Sequence, residues 1–302
     1  NESWIVDRIK KEWVLYNKQF NTNFKLLANI VWVIAPWSFS DKDFRKFKNK
    51  KVVCSIYHIE NTKKNSPEIK RIYELDRFID AYHTISLKTR DELAKVTDKP
   101  IYYIPLWVNQ NIWFHMKNKK ELRNRYKFDE KDFLVGSFQR DTEGHDLLSP
   151  KLIKGPDIFI KIVSNLYKSN KNLKIVLAGK RRQYVISELE NQNIPYKYFE
   201  MTDFDMLNEL YNILDLYLVT SRLEGGPQAL VECGLTKTPI ISTDVGIADK
   251  ILSAESIFDY RDLSSFDKTK PNVDFAFQES TKLTIPNGMV KYIEMFEKVY
   301  ES

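Results

Sequence analysis

The apolar positions of this chain follow two alternating rhythms. Short runs rich in aliphatic and β-branched residues recur at 28–35 (ANIVWVIA), 51–57 (KVVCSIY), 81–86 (AYHTIS), 101–105, 132–138 (DFLVGSF), 173–178, 196–199, 216–220 and 239–243. Runs that are apolar on both faces suit parallel strands covered on both sides. Between them, apolar residues three and four apart predict helices over 2–20, 67–78, 87–96, about 156–168, 182–191, 204–214, 228–235 and 287–301. In the first, Trp4, Ile5, Ile9, Trp13, Tyr16 and Phe20 fall near one face, with Asp7, Arg8, Lys10 and Lys11 opposite; in the last, Met289, Ile293, Phe296 and Tyr300 form a stripe. Strands alternating with helices predict an α/β fold built on parallel sheets with right-handed crossovers.

The alternation stops at 107–113 (WVNQNIW) and restarts at 132, which makes 107–113 the expected interdomain linker. This divides the chain into a short first domain, 1–110, and a second, 111–286, with the helix 287–302 crossing back to the first. At 302 residues the chain is long enough for two ordinary cores.

One stretch, 216–244 (LYLVTSRLEGGPQALVECGLTKTPIISTD), carries most of the chemistry. It reads as strand, glycine-proline loop, helix and strand. Gly225 and Gly226 permit positive φ and close approach of another molecule, and Pro227 suits the first helical position, where no amide proton is needed. The loop thus delivers a helix N-terminus, with its unpaired amides, to the carboxyl end of a parallel sheet, a ready anion site. Glu224 and Glu232, with seven residues between them, frame it. A carboxylate there suits paired hydroxyls better than a phosphate. Lys154 precedes a Gly-Pro helix start, and Lys180, Arg181 and Arg182 follow Gly179 before another helix. Cations at a helix N-terminus oppose its dipole by about 0.3–1 kcal/mol each, so a bound anion would compensate them.

Strand, Glu-Gly-Gly-Pro, helix, Glu and then Pro-Ile-Ile-Ser-Thr-Asp-Val-Gly, taken together, resemble the nucleotide-binding half of the GT-B glycosyltransferases, most closely family 4, the retaining transferases with an E-x7-E motif. The resemblance is strongest over 132–251. It implies a GT-B fold of two Rossmann-like parallel-sheet domains facing a cleft, the N-terminal one short and on the acceptor side. It also implies retaining, metal-independent transfer from a UDP-, GDP- or dTDP-sugar to a glycan, lipid-linked or other hydroxyl acceptor, with no cofactor beyond the donor. On the same grounds Glu232 would hold the ribose hydroxyls, and Glu224 with Gly225, Gly226 and Pro227 the donor sugar or its phosphate. Lys154 with Arg140 or Lys180 would stabilise the departing diphosphate, and His58, just after Ser-Ile-Tyr, would orient sugar or acceptor. Gly136 stands where the family carries Gly-Arg. Here it is followed by Ser137; the next arginine is Arg140, and an insertion, 141–152 (DTEGHDLLSPKL), separates it from Lys154. The alternatives are a nucleotide-binding domain without catalysis and a nucleotide-sugar epimerase on the same fold.

Composition narrows the picture further. Residues 1–110 hold 20 Lys+Arg against 13 Asp+Glu, a net of +7, leaving 27 against 28, or −1, for the rest. No nucleic-acid-binding pattern accompanies that excess, so nucleic acid is not an expected partner. Residues 39–51 set Phe39, Phe44 and Phe47 among Lys42, Arg45, Lys46, Lys48, Lys50 and Lys51. This is either a peripheral membrane contact or a solvated helix whose phenylalanines face the core. No run reaches the length of a membrane span and no signal-peptide pattern is present, and Cys54 and Cys233 stand alone in their segments, which together point to a reducing, cytoplasmic setting. Asp203-Phe204-Asp205 has a metal-binding D-x-D spacing but reads as a capped helix start. His83, inside a strand, reads as a core histidine. No metal site is expected.

Overall fold

The computed structural model describes residues 4–22, 24, 26–60, 66–145 and 147–302. They form two compact units, residues 1–106 with 286–302, and residues 107–285.

The first unit opens with α1 (Trp4–Tyr16), followed by β1 (Ile30–Val33), α2 (Asp41–Arg45), β2 (Lys51–Ile56), α3 (Pro67–Asp76), β3 (Ala81–Thr84), α4 (Leu87–Leu93) and β4 (Ile101–Tyr103). The helix starts are chemically marked. Ser66 Oγ accepts from the Ile69 amide ahead of Pro67, and Ser86 Oγ accepts from the Thr89 amide, each satisfying a donor that the first turn leaves unpaired. The four strands lie in the order β1-β2-β3-β4, all parallel. α1 stops at Tyr16, short of the expected Phe20; a separate 3₁₀ turn, Lys18–Phe20, follows.

A closed polar chain crosses this sheet. Trp32 Nε1 donates to Ser55 Oγ (2.9 Å), Ser55 pairs with His83 Nδ1 (2.8 Å), and His83 Nε2 meets the Ile104 carbonyl (2.8 Å). Since Ile104 O can only accept, His83 carries its proton on Nε2 and receives the Ser55 hydroxyl at Nδ1. The histidine is fully buried, and that burial pushes it down to about 4. This is the core histidine expected from its place in a strand.

Residues 39–51 settle toward the second of their two readings. Phe44 is buried and Phe39 and Phe47 pack against it and the surrounding core, so these rings are not available as membrane anchors; the helix is short and its apolar side is claimed by β2 and α3.

The second unit runs α5 (Lys119–Arg125), β5 (Phe133–Ser137), β6 (Thr142–Glu143), β7 (Ser149–Pro150), α6 (Pro156–Ser169), β8 (Leu173–Ala178), α7 (Gln183–Asn191), β9 (Tyr196–Phe199), α8 (Phe204–Ile213), β10 (Leu216–Val219), α9 (Gln228–Thr236), β11 (Ile240–Thr243), α10 (Ala248–Ile251), β12 (Ile257–Phe258) and α11 (Val273–Thr281). Its main sheet has the order β12-β11-β10-β5-β8-β9, all parallel. The chain therefore winds outward from β5 in one direction and returns to β10 to wind in the other. In such sheets ligands gather where the winding reverses, beyond the carboxyl ends of β5 and β10.

The expected linker, 107–113, is instead part of this unit: Trp107, Val108 and Trp113 are buried, Val108 N donates to Leu283 O, and Gln110 bonds both ways with Ile285. Two tryptophans are poor linker residues because each offers a large apolar area to a core. The last helix, α12 (Asn287–Glu301), belongs to the first unit, where Tyr292 and Phe296 meet Trp13 and Trp32 with ring centroids 5.4–6.2 Å apart.

Candidate functional site

Two loops meet at the reversal point of the second sheet. One leaves β5 and runs from Phe138 to α6; the other leaves β10 and runs from Thr220 to α9. Gly155 brings them together. It takes positive φ (64°) as the residue before α6, and a Cβ on it would lie 1.8 Å from the Thr220 carbonyl oxygen, so any larger residue would push the loops apart. Thr220 Oγ1 donates to Gly155 O (2.9 Å). Arg222 closes the seam from the other loop: its amide donates to Ile153 O (2.8 Å), and its guanidinium forks onto Asp157 at 2.8 and 2.7 Å.

With the loops fixed, Lys154 and Glu224 face each other. Lys154 Nζ lies 2.7 Å from Glu224 Oε2, while the other carboxylate oxygen accepts from Ser221 Oγ at 2.5 Å. Gln139 holds the backbone behind them, donating to Lys154 O (2.9 Å) and accepting from Ser221 Oγ (3.2 Å). Both expected residues are thus in one small polar cluster. Ser221 and Gln139, which complete it, stood in the sequence directly after strands, and that position was the signal that could have found them.

The insertion does not carry Arg140 away from Lys154. Thr142 and Glu143 of β6 pair antiparallel with Pro150 and Ser149 of β7, so the chain returns to where it left: Lys151 N donates to Asp141 O (2.7 Å) and Lys154 N to Lys151 O (2.8 Å). The ribbon is anchored from below. Arg182, fully buried, pairs with Asp141 Oδ2 (2.5 Å) and bonds the carbonyls of Ser137 and Ala178 at the ends of β5 and β8. Arg182, grouped in the sequence with the exposed basic cluster, is therefore a structural arginine. Lys151 was missed altogether. It is half-buried, and burial pushes its ammonium down, with the positive charges of Arg140 and Lys154 adding to the effect. Arg140, Lys151 and Lys154 thus bring three cations into this loop, with Glu224 and Glu143 as counter-charges.

On the far side of the β10 loop, the helix start differs from expectation in two details. Neither Gly225 nor Gly226 takes positive φ; in the neighbouring β11 loop Gly246 does (φ 56°), and its missing Cβ would lie 2.5 Å from Gly225 O and 2.8 Å from Gly226 Cα. The missing Cβ of Gly246 lets the β11 loop pack on the backbone of the β10 loop. Pro227 sits one residue earlier than expected, as the cap residue of α9, with Gln228 the first helical residue and no side chain capping the turn. One turn further, Glu232 is 6% exposed and accepts from Tyr211 Oη at 2.9 Å. Tyr211 is raised well above its ordinary value by burial, then by the Glu232 charge, so it remains a donor at any working pH. The Phe138 ring lies 4.9 Å from the Tyr211 ring, tilted by 56°, which puts an apolar surface beside the carboxylate's partner.

Gly136 is inside β5, where a Cβ would meet Leu214 Cδ1 at 2.2 Å, so its smallness serves the packing of α8's end on the sheet. Lys180 is exposed on the turn after β8. His58 is exposed two residues beyond β2, in the first unit. Asp203 Oδ1 accepts from the Met206 amide (2.8 Å) and caps α8, as its spacing from the helix start predicted.

Comparison with known proteins locates this architecture. Residues 118–258 match the family described as Glycosyl transferases group 1, a span that runs from α5 to β12 and includes every residue of the cluster. No curated protein sequence matches the chain. Among solved structures it is similar to sucrose-phosphate synthase from Thermosynechococcus elongatus, with a TM-score of 0.74 at 12% identity, covering 98% of this chain and 77% of that one. It is also similar to HepE of Anabaena in complex with UDP and glucose (TM-score 0.71, 13% identity, 89% of this chain and 78% of that one). The pneumococcal O-GlcNAc transferase GtfA in complex with UDP and GlcNAc is a third (TM-score 0.67, 14% identity, 92% and 58%). The chain has the GT-B fold seen in these glycosyltransferases, and its residues 118–258 are similar to the glycosyl transferases of group 1.

Proposed function

We propose that this protein is a retaining, metal-independent glycosyltransferase of the cytoplasm that moves a sugar from a nucleotide-sugar, first of all a UDP-sugar, to a hydroxyl of a glycan or lipid-linked acceptor. The observation that carries the reading is the Lys154–Glu224 pair at the reversal point of the sheet. A diphosphate arriving there takes the ammonium away from Glu224, and the released carboxylate, still held by Ser221, turns to the hydroxyls of the sugar. Binding the donor thus arranges its own second contact. Arg140 and Lys151 approach the same phosphates from the base of the ribbon, and Lys180 reaches them from the β8 side. As the bond from the anomeric carbon to the diphosphate breaks, negative charge grows on the leaving group, and fixed cations in a partly buried loop stabilise it more than water does.

Glu232, held by Tyr211, accepts the ribose hydroxyls, and the open amides at the start of α9, after Gly225, Gly226 and Pro227, take a phosphate or sugar oxygen. His58 is assigned to sugar or acceptor. UDP is preferred because HepE and GtfA were both seen with it.

The test is to incubate the protein with UDP-sugars and a panel of hydroxyl acceptors, with and without EDTA, reading UDP release and the anomeric configuration of the product. Turnover that ignores EDTA and keeps the donor's configuration is expected. Loss on chelation would overturn the metal-independent mechanism. A new UDP-sugar formed without acceptor would make the protein an epimerase, and nucleotide binding without turnover a binding module.

A further inference from the structure

None of these roles uses the amino ends of β1 and β2 in the first unit. The chain enters β1 through a turn closed by Leu27 N donating to Phe24 O (2.9 Å), and Phe20, Phe24, Leu26 and Leu27 are 54, 70, 95 and 70% exposed. Single exposed apolar side chains are ordinary; four within eight residues make a patch that calls for a partner. Basic residues stand beside it. Lys50 Nζ donates to Ala28 O (2.5 Å) and Lys51 N to Asn29 O (3.0 Å), which lays the turn after α2 against this one, and Lys42, Arg45, Lys46 and Lys48 are exposed.

Between residues 18 and 51 the sequence holds eight Lys+Arg and two Asp, a net of +6, equal to the formal net charge of the whole chain. Both aspartates already have partners: Asp41 pairs with Arg71 and Arg77, and Asp43 with Lys46 and Ser40. The neighbouring Phe44 is turned inward, so the apolar side chains beside this basic surface are Phe20, Phe24, Leu26 and Leu27.

We propose that this face docks on an anionic lipid bilayer, with Phe24, Leu26 and Leu27 entering the acyl boundary and the lysines resting on the headgroups. Apolar residues rimmed by a net excess of cations match a surface that is apolar within and negative at its edge. A second copy of the chain fits poorly, because a symmetric contact would set the same positive rim against itself. The patch lies at the amino ends of its strands, so docking leaves the carboxyl end of β2, with His58, uncovered by the lipid.

Sedimentation with vesicles tests this without reference to transfer activity. The protein is expected to bind vesicles of phosphatidylcholine with phosphatidylglycerol about tenfold or more tightly than phosphatidylcholine alone, and less tightly as salt rises. Leu26→Asp with Leu27→Asp should weaken that binding about tenfold or more with an unchanged thermal melt, since both side chains are exposed. Lys46→Glu with Lys48→Glu should erase the preference for the anionic lipid. The proposal is overturned if the native protein ignores anionic vesicles, if the Leu26/Leu27 variant binds them like the native protein, or if light scattering shows that variant converting a dimer to a monomer.

Discussion

The two parallel sheets treat their polar residues in opposite ways. In the first, Ser55 and His83 lie within strands, and the chain Trp32–Ser55–His83–Ile104 is closed by its own members, with each polar atom answered inside the sheet. In the second, the strands bury Ser137, Ser242 and Thr243 one by one, and the polar side chains that bond to one another, Gln139, Lys154, Ser221 and Glu224, gather just beyond the carboxyl ends of β5 and β10. A buried polar group costs free energy unless it is satisfied, so a network inside a strand layer has to be complete and has no capacity left for a ligand. At a strand end the same groups meet solvent and exchangeable partners. A polar residue in the middle of a strand therefore reads as architecture, and one or two positions past its end it reads as chemistry.

Variants of the two networks should separate along that line. The largest effect is expected for Lys154→Ala: removing the central cation of the leaving-group site should lower the turnover rate about 10²–10³-fold, measured as UDP release under saturating donor. His83 should leave transfer alone and govern stability instead. Its folded value, about 4, lies below the ordinary histidine value of 6.5. The unfolded chain therefore binds the proton first, and the stability present above pH 6.5 is lost as pH falls toward 4, by about 3 kcal/mol in all. Urea titrations at pH 7 and pH 4.5 should show this slope in the native protein and a flatter one in His83→Gln. An equal slope in both would break the comparison.

Glu232→Ala comes next. Loss of charged hydrogen bonds to the ribose should cost about 1.5–3 kcal/mol, roughly ten- to a hundredfold in donor affinity, with turnover at saturation less affected. The smallest effect is expected for Asp203→Ala, which removes a helix cap and should lower stability by about 1 kcal/mol while leaving activity and its response to EDTA unchanged. Lost activity there would return the D-x-D reading.

Much of the second unit was legible because its central strands, β8, β10 and β11 among them, are buried on both faces. β8 and β9 lie at the predicted residues, and β10 and β11 within one. The Lys154–Glu224 meeting was legible as two residues aimed at one end of a sheet, though not as a contact. What escaped notice depends on partners distant in sequence. Asp141 and Arg182 are 41 residues apart, and only their pairing explains why the insertion returns Lys151 beside Lys154 instead of displacing it. The same limit applies to Gly225 and Gly226. Two adjacent glycines suggest a special backbone, whereas the left-handed glycine of this contact is Gly246, twenty residues on, packed against theirs. Residues 107–113 misled for a third reason: a break in periodicity marks a boundary but does not say on which side of it the chain lies.

The most direct test of the central claim is a calorimetric titration of UDP into the native protein, Glu232→Ala and Lys154→Ala, each with and without EDTA. Tight binding to the native protein, indifferent to EDTA and weakened about tenfold or more by either substitution, is the predicted result. Binding that both variants retain undiminished would mean that the nucleotide does not sit at the reversal point of the second sheet, and the account of the Lys154–Glu224 pair would fail with it.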